Sequence, residues 1–238
     1  MRVTIVIPTK NEQAILKGNI ERLLRFLADN GRDRDCAVVI ADNGSTDATP
    51  AVAAALSAEH PSVSFFHLAE SGRGRALKKA WSSGDTDIVG YMDADLSTDL
   101  EALPRALAEL EAGADVVVGS RLGAGSRTSR SFGREVISRV YNVLVRRLLR
   151  SHVSDNQCGF KFLRRTAALR LLPLIKNDLW FFDTELVFWS LRLGLAIKEL
   201  PVKWSANRKS TVKLLPTMIE EFSGVLRLRR EAGRRRVI

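Results

Sequence analysis

The chain is poor in the residues that build metal cages and disulfide frameworks. It has two cysteines, Cys36 and Cys158, and three histidines, His60, His67 and His152, in 238 residues. One widely separated cysteine pair gives neither metal-ligand spacing nor a disulfide framework, so a reducing compartment is expected. The scattered histidines argue against a histidine-based metal site. Aromatic residues make up 7% of the chain, and its basic residues are not interleaved with stacking rings. That speaks against a nucleic-acid-binding module, so no nucleic-acid partner is expected. No window reaches the roughly 18 uninterrupted apolar residues of a membrane-spanning helix. The N-terminus, Met1 to Pro8, lacks the apolar stretch of a signal peptide. A cytoplasmic location follows, with peripheral contact at the cytoplasmic membrane face left open. Gly72-Arg73-Gly74-Arg75 lacks the third glycine of a dinucleotide fingerprint and does not follow the first strand, which argues against NAD. A flexible turn and a phosphate-facing helix N-terminus both fit it.

What the chain has in excess is positive charge. Lys and Arg number 37 against 27 Asp and Glu, a net +10, which favours a polyanionic partner. The first hundred residues are nearly balanced. The surplus lies between Arg121 and Arg170 and in the tail, at Arg227, Arg229, Arg230, Arg234, Arg235 and Arg236.

The first half alternates apolar β-rich runs with helical periodicity. Strands are expected at Val3–Ile7, Ala37–Ala41, Val63–Leu68, Ile88–Met92 and Asp115–Gly119. Helices are expected at Ala14–Leu27, Thr49–Leu56, Gly74–Trp81 and Leu100–Leu110. This order predicts an α/β fold with a mostly parallel central sheet flanked by helices, in which ligands bind beyond the C-terminal strand ends. The second half is less regular. Gly123–Gly133 reads as a mobile loop, Arg134–Arg150 as a basic amphipathic helix, Leu186–Leu193 as a helix and Ala196–Trp204 as a strand. Residues 1–220 read as one domain in two halves, 1–120 and 121–220, followed by a basic tail at 221–238.

Unusual polar residues gather at the predicted strand ends. Pro8-Thr9-Lys10-Asn11-Glu12 follows the first strand, Asp42 to Asp47 the second, Asp93-Ala94-Asp95 the fourth and Gly119-Ser120-Arg121 the fifth. Two carboxylates two positions apart at a buried strand's end suit Mg²⁺ or Mn²⁺ carrying substrate phosphates. Asp42 is placed to accept hydrogen bonds from a nucleobase or ribose, whereas Ser45, Thr46 and Asp47 equally suit a helix cap. Asp155 to Lys161 is a polar cluster best explained as a substrate-facing loop. Cys158 reads as a small packed residue. Asp183 and Glu185 stand among aromatics at a helix start, as favourable first-turn acids or, for Asp183, as a general base. Asn207 to Lys213 is a mobile basic loop suited to a diphosphate.

Taken in order, these segments resemble the family 2 glycosyltransferases of GT-A (Rossmann-like) fold. Asp155–Lys161, Phe182-Asp183-Thr184-Glu185-Leu186 and Ser210-Thr211-Val212-Lys213 are similar to the polyprenyl-phosphate sugar transferases, nearer the dolichyl-phosphate glucosyltransferases than the mannosyltransferases. The resemblance implies an inverting hexosyltransferase that moves a hexose, glucose first, from a nucleotide sugar such as UDP-glucose to a polyprenyl phosphate. It implies nucleotide-sugar contacts from Pro8, Thr9, Asn11, Glu12, Asp42, Asp93, Arg121, Arg208 and Lys213. Asp93 and Asp95 would hold the divalent metal, Asp155, Gln157 and Lys161 would face the acceptor, and Asp183 with Asp95 would be catalytic. Three departures stand out. Ser97 replaces a Gln ligand of some mannosyltransferases, Asn43 replaces the usual second Asp, and Thr211-Val212 separates Ser210 from Lys213. The alternative reading is a soluble glycosyltransferase acting on the hydroxyl of a small molecule or cell-wall precursor.

Overall fold

The structure is a computed structural model and describes residues 1–129, 132–205 and 214–234. Its first half alternates β1 (Val3–Thr9), α1 (Leu16–Asp29), β2 (Cys36–Asn43), α2 (Thr49–Glu59), β3 (Val63–Leu68), α3 (Arg73–Ser83), β4 (Ile88–Met92), α4 (Ala102–Glu111) and β5 (Val116–Ser120). The second half continues through β6 (Arg127–Ser129), α5 (Phe132–Leu149), β7 (Phe160–Arg164), α6 (Arg165–Leu171), α7 (Phe182–Arg192), β8 (Ile197–Pro201), β9 (Lys203–Ser205) and α8 (Leu214–Arg234). Seven strands form one sheet in the order β3-β2-β1-β4-β7-β5-β8, and β6 and β9 form a separate parallel ribbon.

The sheet is covered on both faces, which explains its continuous apolar strands. Val3, Ile5 and Ile7 of β1 join one core with Leu16, Ile20, Leu23 and Leu27 of α1, together with α2 and α4. Val6 turns the other way, into a core built from Ala76, Leu77 and Trp81 of α3 and from α6, α7, Val225 and Leu228. The four α1 positions follow the helical repeat, so one stripe of the helix is buried.

Register places the candidate loops on one edge. Thr9 pairs with Asp42 and Asp42 with His67, so the C-terminal ends of β1, β2 and β3 lie in one row. β7 runs antiparallel between β4 and β5, with Met92 opposite Phe160. Its reversed direction brings the segment before it, Asp155–Gly159, to that same edge.

Four expectations are corrected. Asp155–Lys161 is not a free loop, because Phe160 and Lys161 begin a central strand and Asp155, Asn156 and Lys161 are buried. Within the expected mobile loop, Arg127–Ser129 pairs with Lys203–Ser205. The single strand expected at Ala196–Trp204 is therefore two, divided at Val202 and belonging to different sheets. α7 starts at Phe182 rather than Leu186, enclosing Asp183 and Glu185 in its first turn. The amphipathic helix is present as α5, but its outward side carries Val136, Ile137, Val140 and Val143 while Ser138 and Asn142 point inward. Asn142 Oδ1 accepts from the Asn156 backbone and side chain at 2.9 and 3.0 Å, which explains the polar inner face. Among the described residues, no helix is long and apolar enough to cross a membrane.

Gly90 marks the tightest point of the sheet. A Cβ there would lie 2.1 Å from Cδ1 of Phe162, its partner across the β4–β7 ladder. Gly90→Ala should therefore destabilise the protein by about 1–3 kcal/mol, the usual cost of overpacking. Urea unfolding should show a lower midpoint with an unchanged slope, and Gly90→Ala/Phe162→Leu should recover part of the loss.

Candidate active site

The loops after β1 and β2 are zipped together. Asn11, in the left-handed region at φ 56°, accepts from the Thr46 amide at 2.8 Å and donates its own amide to Ser45 Oγ at 2.8 Å. The Glu12 amide donates to Thr49 Oγ1 at 2.7 Å. Asp42 is fully buried and accepts from Ser45 Oγ, from Thr9 Oγ1 at 3.4 Å and, if the tautomer is protonated there, from His67 Nδ1 at 2.6 Å. Asn43 donates to the Thr9 carbonyl at 2.7 Å and accepts from the Gly72 amide at 3.2 Å, linking this double loop to α3. Pro8, Thr9, Asn11, Glu12 and Asp42 are thus brought into one structural unit.

The Asp93–Asp95 turn follows β4. The Ser97 amide donates to Asp95 Oδ1 at 3.0 Å, and the turn closes through buried Leu96 at φ 46°, a conformation costly for a branched side chain. Gly159 lies against it, where a Cβ would stand 1.8 Å from Asp93 Oδ2. The glycine therefore makes room for the carboxylate. Burial pushes the Asp93 pKa up and Arg73 opposes that shift. Two half-buried carboxylates with hard oxygens fit Mg²⁺ or Mn²⁺, whose remaining ligands are commonly phosphate oxygens and water. Among the described residues no group of three or more His, Cys, Asp or Glu converges, so a metal here would depend on ligands from the substrate.

Behind the turn lies a cluster that sequence reasoning missed in large part. Arg73, at the start of α3, reaches Asp93 Oδ1 at 3.4 Å with Nη1 and Asp183 with Nη2. Its guanidinium carbon stands 4.4 Å from the Trp180 ring centroid and 5.5 Å from that of Tyr91. Asp183 also accepts from the Tyr91 hydroxyl and pairs with Lys161 Nζ at 2.8 Å. Burial pushes the Tyr91 phenol up, which keeps it a donor. Burial pulls Lys161 down to about 7, while its ion pair with Asp183 favours the charged form. Lys161 further donates to the Cys158 carbonyl at 2.7 Å. The Cys158 thiol is pushed up by burial to about 12 and is no thiolate. The signal for Arg73 was its flanking glycines. A Cβ on Gly72 would meet the Asp178 carbonyl at 2.6 Å, and one on Gly74 would meet Phe182 Cβ at 2.8 Å. These glycines let α3 close on the segment leading into α7, which delivers Arg73 to Asp183.

Arg121 and Asp155 form a second buried pair. Arg121 Nε donates to Asp155 Oδ2 at 2.7 Å, Nη2 to Oδ1 at 2.9 Å and its amide to Oδ2 at 3.1 Å. Burial works to raise the Asp155 pKa, but Arg121's charge and hydrogen bonds outweigh it and hold the carboxyl below its usual value. The Gln157 amide donates to Asp155 Oδ1 at 3.2 Å, and Glu221 of α8 is buried nearby. Tyr141 of α5 donates to Glu221 and sits 2.8 Å from Thr184 Oγ1, beside Asp183. Glu185 accepts from the Lys176 and Asn177 amides at 2.6 and 3.0 Å and from Arg227, a helix-anchoring role. Arg208 and Lys213 lie outside the described residues.

A mostly parallel sheet with nucleotide-type loops at one edge and an Asp-x-Asp turn at its centre defines a GT-A glycosyltransferase. Solved structures of glucosyl-3-phosphoglycerate synthase from Mycobacterium tuberculosis share the fold. One, with Mn²⁺, UDP-glucose and phosphoglyceric acid, has a TM-score of 0.71 at 21% identity, covering 96% of this chain and 79% of that one. Another, with Mg²⁺ and UDP, has a TM-score of 0.67 at 21% identity, covering 96% and 79%. Residues 4–172 match the model of glycosyl transferase family 2, and the chain belongs to that family. It is 33% identical to glycosyltransferase AglD of Haloferax volcanii over 95% of its own length and 37% of that relative's. It is 30% identical to the human dolichyl-phosphate beta-glucosyltransferase over 90% of this chain and 70% of that protein. It therefore spans little more than a third of AglD.

Two predictions test the buried charges. Asp155→Asn should destabilise the protein by about 3–5 kcal/mol, since it leaves the Arg121 guanidinium buried and unpaired, and denaturant unfolding measures this. Glu221 carries the opposite shift, because burial pushes its carboxyl up to about 7 despite the hydrogen bond from Tyr141. A raised folded pKa contributes stability that is fully present below the ordinary value and is lost as pH rises through the folded one. Glu221→Gln should therefore match the parent near pH ~5 and exceed its melting temperature near pH ~8.

Proposed function

We propose that this chain transfers glucose from UDP-glucose to a polyprenyl phosphate, with inversion at the anomeric carbon. The observation that carries the acceptor class is the state of Asp183. This carboxylate is fully buried under Tyr91, Arg73 and Lys161 and is poorly placed to take a proton from a hydroxyl. A phosphate acceptor is already ionised and needs no base. The dolichyl-phosphate beta-glucosyltransferase relatives support the same substrate class.

In this reading Pro8, Thr9, Asn11, Glu12 and Asp42 hold the nucleoside. Asp93 and Asp95 hold Mg²⁺ or Mn²⁺ on the diphosphate, and the bound ion supplies electrostatic stabilisation of the departing β-phosphate. Arg73 and Arg121, with Arg208 and Lys213, add positive charge around the diphosphate and the acceptor phosphate. A phosphate oxygen of the acceptor attacks the anomeric carbon as the bond from that carbon to the β-phosphate oxygen breaks. The products are a glucosyl phosphodiester and UDP. Asp183 acts as a positioning residue, keeping Arg73 and Lys161 charged and fixed, while Asp155 fixes Arg121.

The outward apolar residues of α5 and those of α8, Ile219 and Phe222, support docking on a membrane surface. Arg139, Arg146, Arg147 and Arg150 lie exposed beside them and favour anionic headgroups. A lipid acceptor would be presented at that surface.

The test is a thermal-shift panel of nucleotide sugars with Mn²⁺ and Mg²⁺, followed by transfer assays on polyprenyl phosphate in anionic vesicles and on soluble hydroxyl acceptors. UDP-glucose should stabilise the protein only with metal, and Asp95→Ala should abolish both that shift and transfer. Asp183→Asn should lower the transfer rate without moving its pH profile. Absence of any nucleotide-sugar shift would overturn the reading. Transfer to a soluble hydroxyl, with an acid limb lost in Asp183→Asn, would restore Asp183 as the base.

A further inference from the structure

On the other side of the Asp93–Asp95 turn from Asp183, an open cleft of about 550 Å³ separates α1 from the β6–β9 ribbon. Arg22 of α1, Arg127 of β6 and Lys203 of β9 line it, with Asp99, Ser97 and Trp204. Its walls are fixed. The Ser205 amide donates to the Ser97 carbonyl at 2.9 Å, the Asp99 amide donates to the Lys203 carbonyl at 3.0 Å, and Thr98 bridges to Trp204.

Three features of this cleft have no structural use within the fold. Arg127 and Lys203 are direct cross-strand partners in a two-stranded ribbon, and like charges in that position repel. Among the described residues Asp99 offsets only one of the three cations, meeting Lys203 at 3.8 Å. Ser97 is 97% buried by its 3% exposure, yet its hydroxyl has no hydrogen-bond partner among the described residues. A buried hydroxyl without a partner is costly. Repelling cations, an unspent hydroxyl and a half-buried indole are together the chemistry that would take an anion attached to a carbon skeleton.

We propose that this cleft binds a phosphate monoester, independently of the nucleoside diphosphate. Arg127, Lys203 and Arg22 neutralise the phosphate, the Ser97 hydroxyl donates to one of its oxygens, and Trp204 packs against the attached carbon chain. Asp93, Asp183, Arg73 and Lys161 are not part of the cleft lining, and the cleft meets the charged residues of the active site through Trp204, whose ring centroid stands 5.7 Å from the Arg121 guanidinium carbon. Two sources share this chemistry, a soluble phosphorylated metabolite and a lipid phosphate.

Calorimetric titration of the full chain without nucleotide or metal, using methyl phosphate and a short-chain prenyl phosphate, tests this. Both should bind the parent protein, and Arg127→Gln/Lys203→Gln should weaken binding by about tenfold or more, as loss of charge-assisted hydrogen bonds predicts. UDP binding with Mn²⁺ should be unchanged in that variant. Tighter binding of the prenyl ester, lost in Trp204→Leu, identifies a lipid source, and equal binding identifies a soluble one. No binding to the parent, or equal affinity in parent and double variant, would overturn the proposal. Should the double variant fail to fold, the exposed Arg127→Glu change alone must give the same loss. Nucleotide-sugar binding is read separately, so the donor reading can fail while the cleft stands, and the reverse.

Discussion

Everything at the candidate site hangs on one buried carboxylate. Asp183 receives Tyr91 from β4, Lys161 from β7 and Arg73 from α3, while standing itself in the first turn of α7. Four elements meet in a single set of charge-assisted hydrogen bonds. A lone ion so deep would be untenable, and each partner is also buried or nearly so. Asp183 offsets one of its two cations, and Arg73 extends the set to Asp93 at the rim, which offsets the other. The rim carboxylates are therefore held by a charge network rooted in the core rather than by their own loop alone.

That arrangement divides what was legible in the sequence from what was not. The parallel half was legible because its strands are short unbroken apolar runs and its helices carry clear stripes. Val63–Leu68 and Ile88–Met92 have the expected bounds. The four polar strand ends were legible for the same reason, since strand direction alone sends them to one edge. β7 was hidden because its sequence mixes Lys161 and Arg164 with three apolar residues, and because Asp155–Gly159 looks like a solvated loop. Only the antiparallel pairing with β4 shows why charged residues tolerate that position. Tyr91 was read as one more apolar strand residue, and Arg73 as part of a flexible turn or of a phosphate-facing helix N-terminus. Nothing in the local sequence says that Gly72 and Gly74 serve a close approach of distant backbone. His67 was dismissed as a metal ligand, whereas it stands beside Asp42 as a hydrogen-bond partner.

The helices of the second half divide their labour by face. α8 is fastened to the start of α7 by Glu220 on Asn177 and the Phe181 amide, and by Arg227 on Glu185. Gly224 permits it, since a Cβ there would stand 2.4 Å from the Phe181 ring. α5 is fastened inward by polar groups, Asn142 on Asn156 and Tyr141 on Thr184 and Glu221. These polar bonds sit beside an apolar inner stripe, Val145 and Leu149, while Val136, Ile137, Val140 and Val143 stand on the outside among arginines. The same inward bonds tie α5 and α8 to residues on either side of Asp155 and Asp183.

The antiparallel strand has a consequence for how the chain is made. β4 and β5 are both synthesised before β7, yet neither pairs with the other, and each waits for residues 160–164 to fill the gap between them. A nascent chain that stops short of β7 carries two unsatisfied strand edges in the middle of its sheet, an aggregation-prone state. When β7 enters, it closes both edges and brings Lys161 to Asp183's future position in one event. Residues 160–164 thus serve two places at once, as the strand that joins β4 to β5 and as the source of the Lys161 that meets Asp183.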